Sequence, residues 1–444
     1  MQFNFIYFNI DHWFIYKKKR VGKKVLIISY YWPPAGGPGV QRWLKFVKYF
    51  PENNIEPILF IPKNVNYPIL DYSLSQEVDK NIKIIRHPIF EFSSLFRNNK
   101  RLNLLRSGNI STVKKQSLFE RILFFLRGNM VFPDMKLFWR KTSVNFLEKY
   151  LLKNEIQTIV TTGPPHSVHL IGLDLKEKLN IKWIADFRDP WVNLNYLNNF
   201  QLMPWSKKIH KKLRDSVLIN SDAVVVTSEK LKILFDSITE NCFKITNGYD
   251  YEYKDVELDN KFSISHIGSV YPERDPEQLW AVLEKLCIDI KGFKDDLILN
   301  FVGNVNIDFK KCLKSKSFSE SVKYHGYVEY DKTIYFACKS QLLLMIEAND
   351  EGSSYAIPGK FFDYLNSHRP ILAIGPKGSE IDKILKDSNT GLFSDHNEFE
   401  SLYNYISDRY NKFKKQSNYI LSNKIDKYSR KLLAKKYTDI INNI

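Results

Sequence analysis

A chain of 444 residues is longer than one compact core accommodates and fits two domains of ordinary size, which excludes a peptide or a small disulfide scaffold. With 44% hydrophobic and 26% charged residues the composition is that of a folded, mostly soluble protein, which argues against wholesale disorder and against a multi-span membrane protein. Lys plus Arg outnumber Asp plus Glu by 66 to 49, and the net charge of +17 favours anionic partners.

The chain opens on an aromatic stretch, Met1 to Tyr16, followed by the cluster Lys17-Lys18-Lys19-Arg20. A secretory signal has its charge before the apolar stretch, so this order is the wrong one. It reads either as a loosely docked extension or as an interfacial segment whose aromatics dip into lipid headgroups beside a basic clamp. No run of ~18 uninterrupted apolar residues occurs, so no spanning helix is expected.

Lys24 to Tyr30 (KVLIISY) is a β-rich run that stops at a Pro-Pro and Gly cluster, and Val40 to Phe50 then shows helical spacing through Val40, Leu44 and Val47. Further strands are expected at Pro57 to Ile61, Ile82 to Arg86, Thr158 to Thr162, Lys182 to Asp186 and Ala223 to Thr227. Residues 90–150 interrupt this series with Arg97, Lys100, Arg101, Arg106, Lys114, Lys115, Arg121 and Arg127 around a greasy helix, Leu118 to Leu126. The region is either a solvated charged face or a surface for an anionic membrane. The basic tail from Lys412 to Lys436 allows the same two readings.

The rhythm repeats at Phe262 to Ile267, Leu297 to Val302, Val322 to His325, Leu342 to Ile346 and Pro370 to Ile374, with amphipathic segments such as Pro276 to Ile290 between them. Alternating strands and helices predict α/β architecture with parallel sheets, here two doubly wound Rossmann-like domains. The expected divisions are an extension over 1–22, an N-terminal domain over 23–245, a C-terminal domain over 246–425 and a final helix over 426–444 packing back on the first domain. The hinge falls near Asn247-Gly248. Cys242, Cys287, Cys312 and Cys338 lie far apart without metal-ligand spacing and read as reduced thiols of a cytosolic protein.

In open α/β sheets ligands sit beyond the carboxyl ends of strands, so the loops after strands carry the functional candidates. Gly36, Gly37 and Gly39 let backbone amides approach an anion or sugar, or else serve a tight turn. Arg42 stands where a dinucleotide fingerprint needs its third glycine, and neither a P-loop nor an Asp-x-Asp metal pair occurs. Any diphosphate must then be neutralised by the protein itself, and no metal or cofactor is expected.

His166, in Thr161-Thr162-Gly163-Pro164-Pro165-His166-Ser167, is placed to bond a sugar hydroxyl or shuttle a proton. Asp186, Arg188 and Asp189 crowd the end of one strand, either as a self-contained ionic network or as groups that meet substrate. Gly268 permits close backbone approach, and Arg274 supplies charge to a phosphate or pairs at a helix start. In Pro358-Gly359-Lys360-Phe361-Phe362-Asp363, Lys360 and Asp363 lie three apart on one helical face, where an acid can accept both hydroxyls of a ribose.

Taken in order, Tyr-Tyr-Trp-Pro-Pro-x-Gly-Gly, Gly-Pro-Pro-His-Ser, Asp-Phe-Arg-Asp-Pro-Trp, Thr-Asn-Gly-Tyr-Asp and Pro-Gly-Lys-x-x-Asp-Tyr-Leu resemble glycosyltransferase family 4 of the GT-B superfamily, in the versions found in bacterial surface-polysaccharide enzymes. The resemblance runs from about Lys23 to the C-terminus. It implies two Rossmann-like domains facing across a cleft, with Gly36 and Gly37 beside the donor, His166 on the donor sugar, Arg274 on the diphosphate and Asp363 on the ribose. The family usually has Glu where Asp363 stands, and often a second Glu where this chain has Tyr355. Tyr355 is then the donor-side residue at that place, with Glu351 or the backbone of Gly352 to Ser354 as substitutes. Ser269 also stands where many relatives have Arg.

The expected function is therefore metal-independent, retaining transfer of a sugar from a nucleotide-sugar donor to a lipid-linked or polysaccharide acceptor, in the cytoplasm at the inner face of the plasma membrane. A non-catalytic GT-B scaffold and a nucleotide-sugar epimerase are the alternatives. No nucleic acid is expected as a partner, because the positive residues are dispersed and no RNA or DNA motif accompanies them.

Overall fold

The computed structural model describes residues 22–67, 69–90, 118–192, 200–252, 255–271, 274–349, 352–416 and 423–444. The aromatic segment and basic clamp at the N-terminus, Glu351, and the insertion cations Arg97, Lys100, Arg101, Arg106, Lys114 and Lys115 lie outside the described residues.

The described residues of the first half form seven strands: β1 (Lys23–Ser29), β2 (Ile55–Lys63), β3 (Lys83–Pro88), β4 (Thr158–Gly163), β5 (Lys182–Phe187), β6 (Ala223–Val226) and β7 (Cys242–Lys244). All pair in parallel, in the order β3-β2-β1-β4-β5-β6-β7. Val25 to Ile28 are wholly buried because helices cover both faces, which is why β1 reads as an uninterrupted apolar run and not as an alternation. The second half adds β8 (Phe262–Ile267), β9 (Leu297–Val302), β10 (Val322–Gly326), β11 (Leu342–Ile346), β12 (Ile371–Ile374) and β13 (Gly391–Ser394), again parallel, in the order β10-β9-β8-β11-β12-β13. Strands β7 and β13 escaped the sequence reading: three and four residues long at sheet edges, they carry too little apolar pattern to stand out.

Each sheet changes direction of winding beside its first strand, between β1 and β4 in one and between β8 and β11 in the other. The loops leaving β1 and β8 therefore diverge from those leaving β4 and β11, and each divergence opens a crevice at the carboxyl end of its sheet.

The last helix, Arg430–Asn443, buries Leu433, Ala434, Tyr437 and Ile441 in one apolar cluster with Trp43, Phe46 and Phe50 of the first long helix, Pro38–Tyr49. Tyr437 meets Trp43 edge-on at 5.3 Å between ring centroids. The chain thus crosses between the halves twice, and the crossings run side by side: Tyr249 N–H donates to the Tyr428 carbonyl (3.2 Å) and Arg430 N–H to that of Tyr249 (2.8 Å). Gly248 permits this approach, since a Cβ there would lie 2.2 Å from the Tyr428 oxygen. Among the described residues no helix is long and apolar enough to cross a membrane.

The paired crossings make Gly248→Ala a sharp test of the architecture. The added methyl must push the two segments apart, and a loss of about 1–3 kcal/mol, typical of overpacking, is expected in the urea midpoint.

Candidate active site

The carboxyl ends of β1 and β8 border one cavity of about 470 Å³ between the halves. On the second-half side Gly268 leaves β8 with φ +118°, a conformation that favours glycine, and a Cβ there would come 3.1 Å from the Lys360 ammonium. Lys360 occupies the first turn of helix Gly359–Asn366, and its Nζ lies 3.0 Å from His266 Nε2. His266 Nδ1 lies 3.0 Å from the Leu344 carbonyl, which can only accept. The proton therefore sits on Nδ1, and Nε2 is left to accept from Lys360. Burial, with Lys360 and Arg274 nearby, holds the His266 pKa well below the ordinary imidazole range and keeps the ring neutral. Burial and Arg274 likewise push the Lys360 ammonium well down, against the pull of Glu347. Arg274 borders the cavity in the same region.

Asp363 follows three residues after Lys360 on the cavity face. Its Oδ1 accepts from the Tyr330 hydroxyl (2.9 Å), and its backbone carbonyl accepts from that of Tyr251 (2.6 Å). Burial pushes the carboxyl up to about 7, while the Tyr330 hydrogen bond, Arg430 and Lys45 pull it down.

Arg430 closes the far side. It is the first residue of the last helix, is buried, and its Nη1 finds no hydrogen-bond partner among the described residues. Burial first, then repulsion from Arg42, lowers it to about 10. From the first half, Gly37 borders the cavity at φ +101° and Lys45 reaches in while paired to Asp250 at 3.0 Å.

The remaining candidates do not border this cavity. Gly36 stands one residue back, its N–H donating to the Ile69 carbonyl at 3.0 Å. His166 is buried with its ring stacked on Trp191 (centroids 4.7 Å apart), and neither ring nitrogen has a hydrogen-bond partner among the described residues. Desolvation drives its pKa well below the ordinary value and holds it as a neutral, enclosed ring.

Asp186 has no exposed surface. It accepts from Arg42 Nη2 (2.8 Å) and Nε (3.3 Å), Trp43 Nε1 (2.9 Å) and Thr162 Oγ1 (3.0 Å), which occupies both oxygens. The structural member of the two readings of this cluster thus describes Asp186, with a partner that the local sequence does not reveal. Arg188 donates from Nε to the Gly163 carbonyl (3.0 Å) and from Nη2 to that of Pro164 (2.8 Å), clamping the neighbouring loop. Gly39 makes room for it, since a Cβ there would lie 1.7 Å from Nη1. Asp189 is also outside the cavity lining, its carboxyl raised by burial against the pull of Arg188. Tyr355 packs between the halves: its carbonyl accepts from Ser228 and its ring lies under Lys230 Nζ at 4.8 Å.

The cavity therefore unites Gly37, Gly268, Arg274, Lys360 and Asp363 and leaves out Gly36, His166, Asp186, Arg188, Asp189 and Tyr355. Lys45, Tyr330 and Arg430 border it without having been singled out from the sequence. The one available signal for Arg430 is that it is the only arginine after residue 409, immediately behind a Ser429 that caps the helix. Arginine is the residue of choice for a buried cation.

Two facing, wholly parallel Rossmann-like sheets with a cavity between their carboxyl ends and a last helix returning to the first half define the GT-B glycosyltransferase fold. Solved structures share it over 95% of the chain. Anabaena HepE in complex with UDP aligns with a TM-score of 0.61 at 12% identity over 100% of its own chain. Sucrose-phosphate synthase from Thermosynechococcus elongatus aligns with 0.61 at 12% over 98%, and a variant of S. aureus TarM bound to fondaparinux, α-GlcNAc-glycerol and UDP with 0.60 at 15% over 100%. At such identities the likeness is one of fold. No protein-family model matches the chain, and no curated protein matches its sequence.

Two outcomes follow from the electrostatics. Arg42→Met leaves Asp186 charged and buried without its partner, and a loss of about 3–5 kcal/mol is expected in chemical denaturation. Asp363 binds its proton more tightly in the native state, with a pKa of about 7, than in the unfolded chain, where about 3.9 is usual. Its contribution to stability is thus present below about pH 4 and is lost as pH rises through 7. Asp363→Asn should remove that decline, narrowing the difference between urea midpoints measured at pH 5 and pH 8.

Proposed function

We propose that this chain is a glycosyltransferase that moves a sugar from a nucleotide-sugar donor to a lipid-linked or polysaccharide acceptor in cell-surface polysaccharide synthesis, at the inner face of the membrane. The observation that carries this reading is the convergence of Lys360, Arg274 and Asp363 on one interdomain cavity of a GT-B fold.

The donor's diphosphate lies against Arg274, Lys360 and the N-terminus of helix Gly359–Asn366, with the Gly268 backbone leaving room for it. Lys360 fits this role because burial and Arg274 disfavour its charged form, and an anion beside both cations favours it again. His266 fixes the ammonium's direction through Nε2. Asp363, held by Tyr330, accepts the ribose hydroxyls. As the glycosidic C–O bond breaks, its electron pair passes to the diphosphate, whose growing charge these two cations stabilise without a divalent metal. The acceptor oxygen attacks the anomeric carbon as its proton passes to an oxygen of the departing diphosphate; the family resemblance implies retention of configuration. Closure about the paired crossings near Gly248 excludes water that would hydrolyse the donor.

UDP is the first nucleotide to test, because it is the one bound in HepE and in the TarM variant. At 100 times its dissociation constant a ligand of the native state adds about 2.7 kcal/mol, which a thermal-shift panel of nucleotides and nucleotide sugars reads directly. Arg274→Ala and Lys360→Ala should each lose most of that shift with the far-UV spectrum intact. A full shift in both variants contradicts this placement of the diphosphate.

A further inference from the structure

One surface of the first half has no role in the cavity. Helix Leu118–Met130 packs by backbone contact on the start of helix Pro204–Asn220: Ser206 Oγ donates to the Gly128 carbonyl (3.0 Å), and Met203 N–H to Asn129 Oδ1 (2.7 Å). Gly128 allows the approach, since a Cβ there would lie 2.5 Å from that of Phe200. With their polar groups spent on each other, both segments turn large apolar side chains outward. Leu118 is 73% exposed, Met130 69% and Trp205 48%, and Ile122, Leu126 and Ile209 on the same two helices are exposed as well. Apolar groups gathered in this way mark an interaction surface.

The charges around them are mostly positive. Lys207, Lys208, Lys211 and Lys212 are all exposed on the second helix and Arg121 is exposed on the first; residues 200–214 contain no acid, and the first helix contains one, Glu120. The four lysines take part in no ion pair with the described residues, whereas Arg214 on the inner face is bonded to Asp215. The surface also has a definite place in the fold. His210, on the buried side of the same helix, lies 3.4 Å from Trp191 Nε1 just beyond β5, and Asp134, which follows the first helix, accepts from Ser167 N–H (2.9 Å) just beyond β4. The pair of helices therefore caps the carboxyl end of the first sheet, the end that borders the cavity.

We infer that these two helices form a docking face for an anionic lipid bilayer, the apolar side chains entering the headgroup boundary and the lysines pairing with lipid phosphates. Charge decides among occupants. A second copy of the chain would bring lysines against lysines. The chain's own segments 1–20 and 91–117 are themselves cationic, the latter with six Lys or Arg against one acid, Glu91. An anionic bilayer complements both the rim and the apolar centre. This inference rests on the proposed transfer to a lipid-linked acceptor, since it holds the cavity-bearing end of the first half at the membrane where such an acceptor resides.

The test is sedimentation of the full chain with vesicles of phosphatidylcholine alone or phosphatidylcholine mixed with phosphatidylglycerol. Binding is expected only to the anionic vesicles and should weaken with salt. The change of Lys207, Lys208, Lys211 and Lys212 together to Gln should weaken it at least about tenfold, and so should Leu118→Ser with Ile122→Ser. In a Trp13→Phe background, bromine-labelled lipid should quench the fluorescence of exposed Trp205, and Trp205→Phe should abolish that response. Nucleotide thermal shifts, measured on the same variants without vesicles, should not change, so failure of the donor site and failure of the docking face are read separately. No binding to anionic vesicles, undiminished binding by the glutamine variant, or an unquenched Trp205 overturns the inference.

Discussion

The fully buried pair of Arg42 and Asp186 fixes the relation among parts that would otherwise be independent. The guanidinium leaves the first long helix, meets the carboxylate at the end of β5 in a two-pronged contact, and donates a third bond from Nη1 to the Thr246 carbonyl at 2.9 Å. One side chain thereby ties together the helix behind the glycine loop, the centre of the first sheet and the segment that leads to the second half. Trp43, the next residue, donates to the same carboxylate and carries Tyr437 of the last helix on its ring. A buried charge pair is weak evidence of net stability but strong evidence of positional constraint, because neither partner tolerates the loss of the other. What it positions here is Gly37 and Lys45, the first-half wall of the cavity.

Across that wall the charges are arranged for a ligand with both an anionic and a polar end. Arg274 and Lys360 lie together, and among the described residues no carboxylate is in bonding contact with the lysine, which leans on a neutral imidazole. Asp363 lies further along the same helix, in a setting that raises its pKa and surrounds it with the hydroxyls of Tyr330 and Tyr251. A nucleoside diphosphate presents that order of groups, phosphates next to a diol. Glycine at 268 completes the fit, since any side chain there would meet Lys360.

The sequence disclosed what depends on local pattern and hid what depends on distant partners. Strands buried on both faces are unbroken apolar runs, so β1 and β11 were legible, as was the placement of Lys360 and Asp363 on one helical face, which needs only helical spacing behind Pro358-Gly359. The partners of Asp186 and Arg188 were not legible, because they are Arg42, 144 residues away, and carbonyls of the preceding strand's loop. For His166, position at a helix start is visible in sequence, whereas the stack on Trp191 that encloses the ring is not. Arg430 was missed because nothing near it in the chain announces that the last helix starts at the cavity. Lys207 to Lys212 lie outside the basic insertion and join it only when two helices pack.

The central claim is transfer of an activated sugar from the interdomain cavity to an acceptor. The most direct measurement is release of nucleotide from UDP-sugars, with and without membrane lipid extract. The account predicts release that requires the extract and transfers the sugar into the lipid fraction. Conversion of the donor to another nucleotide sugar without any acceptor, or binding of nucleotide with no release across the panel of donors, would contradict it.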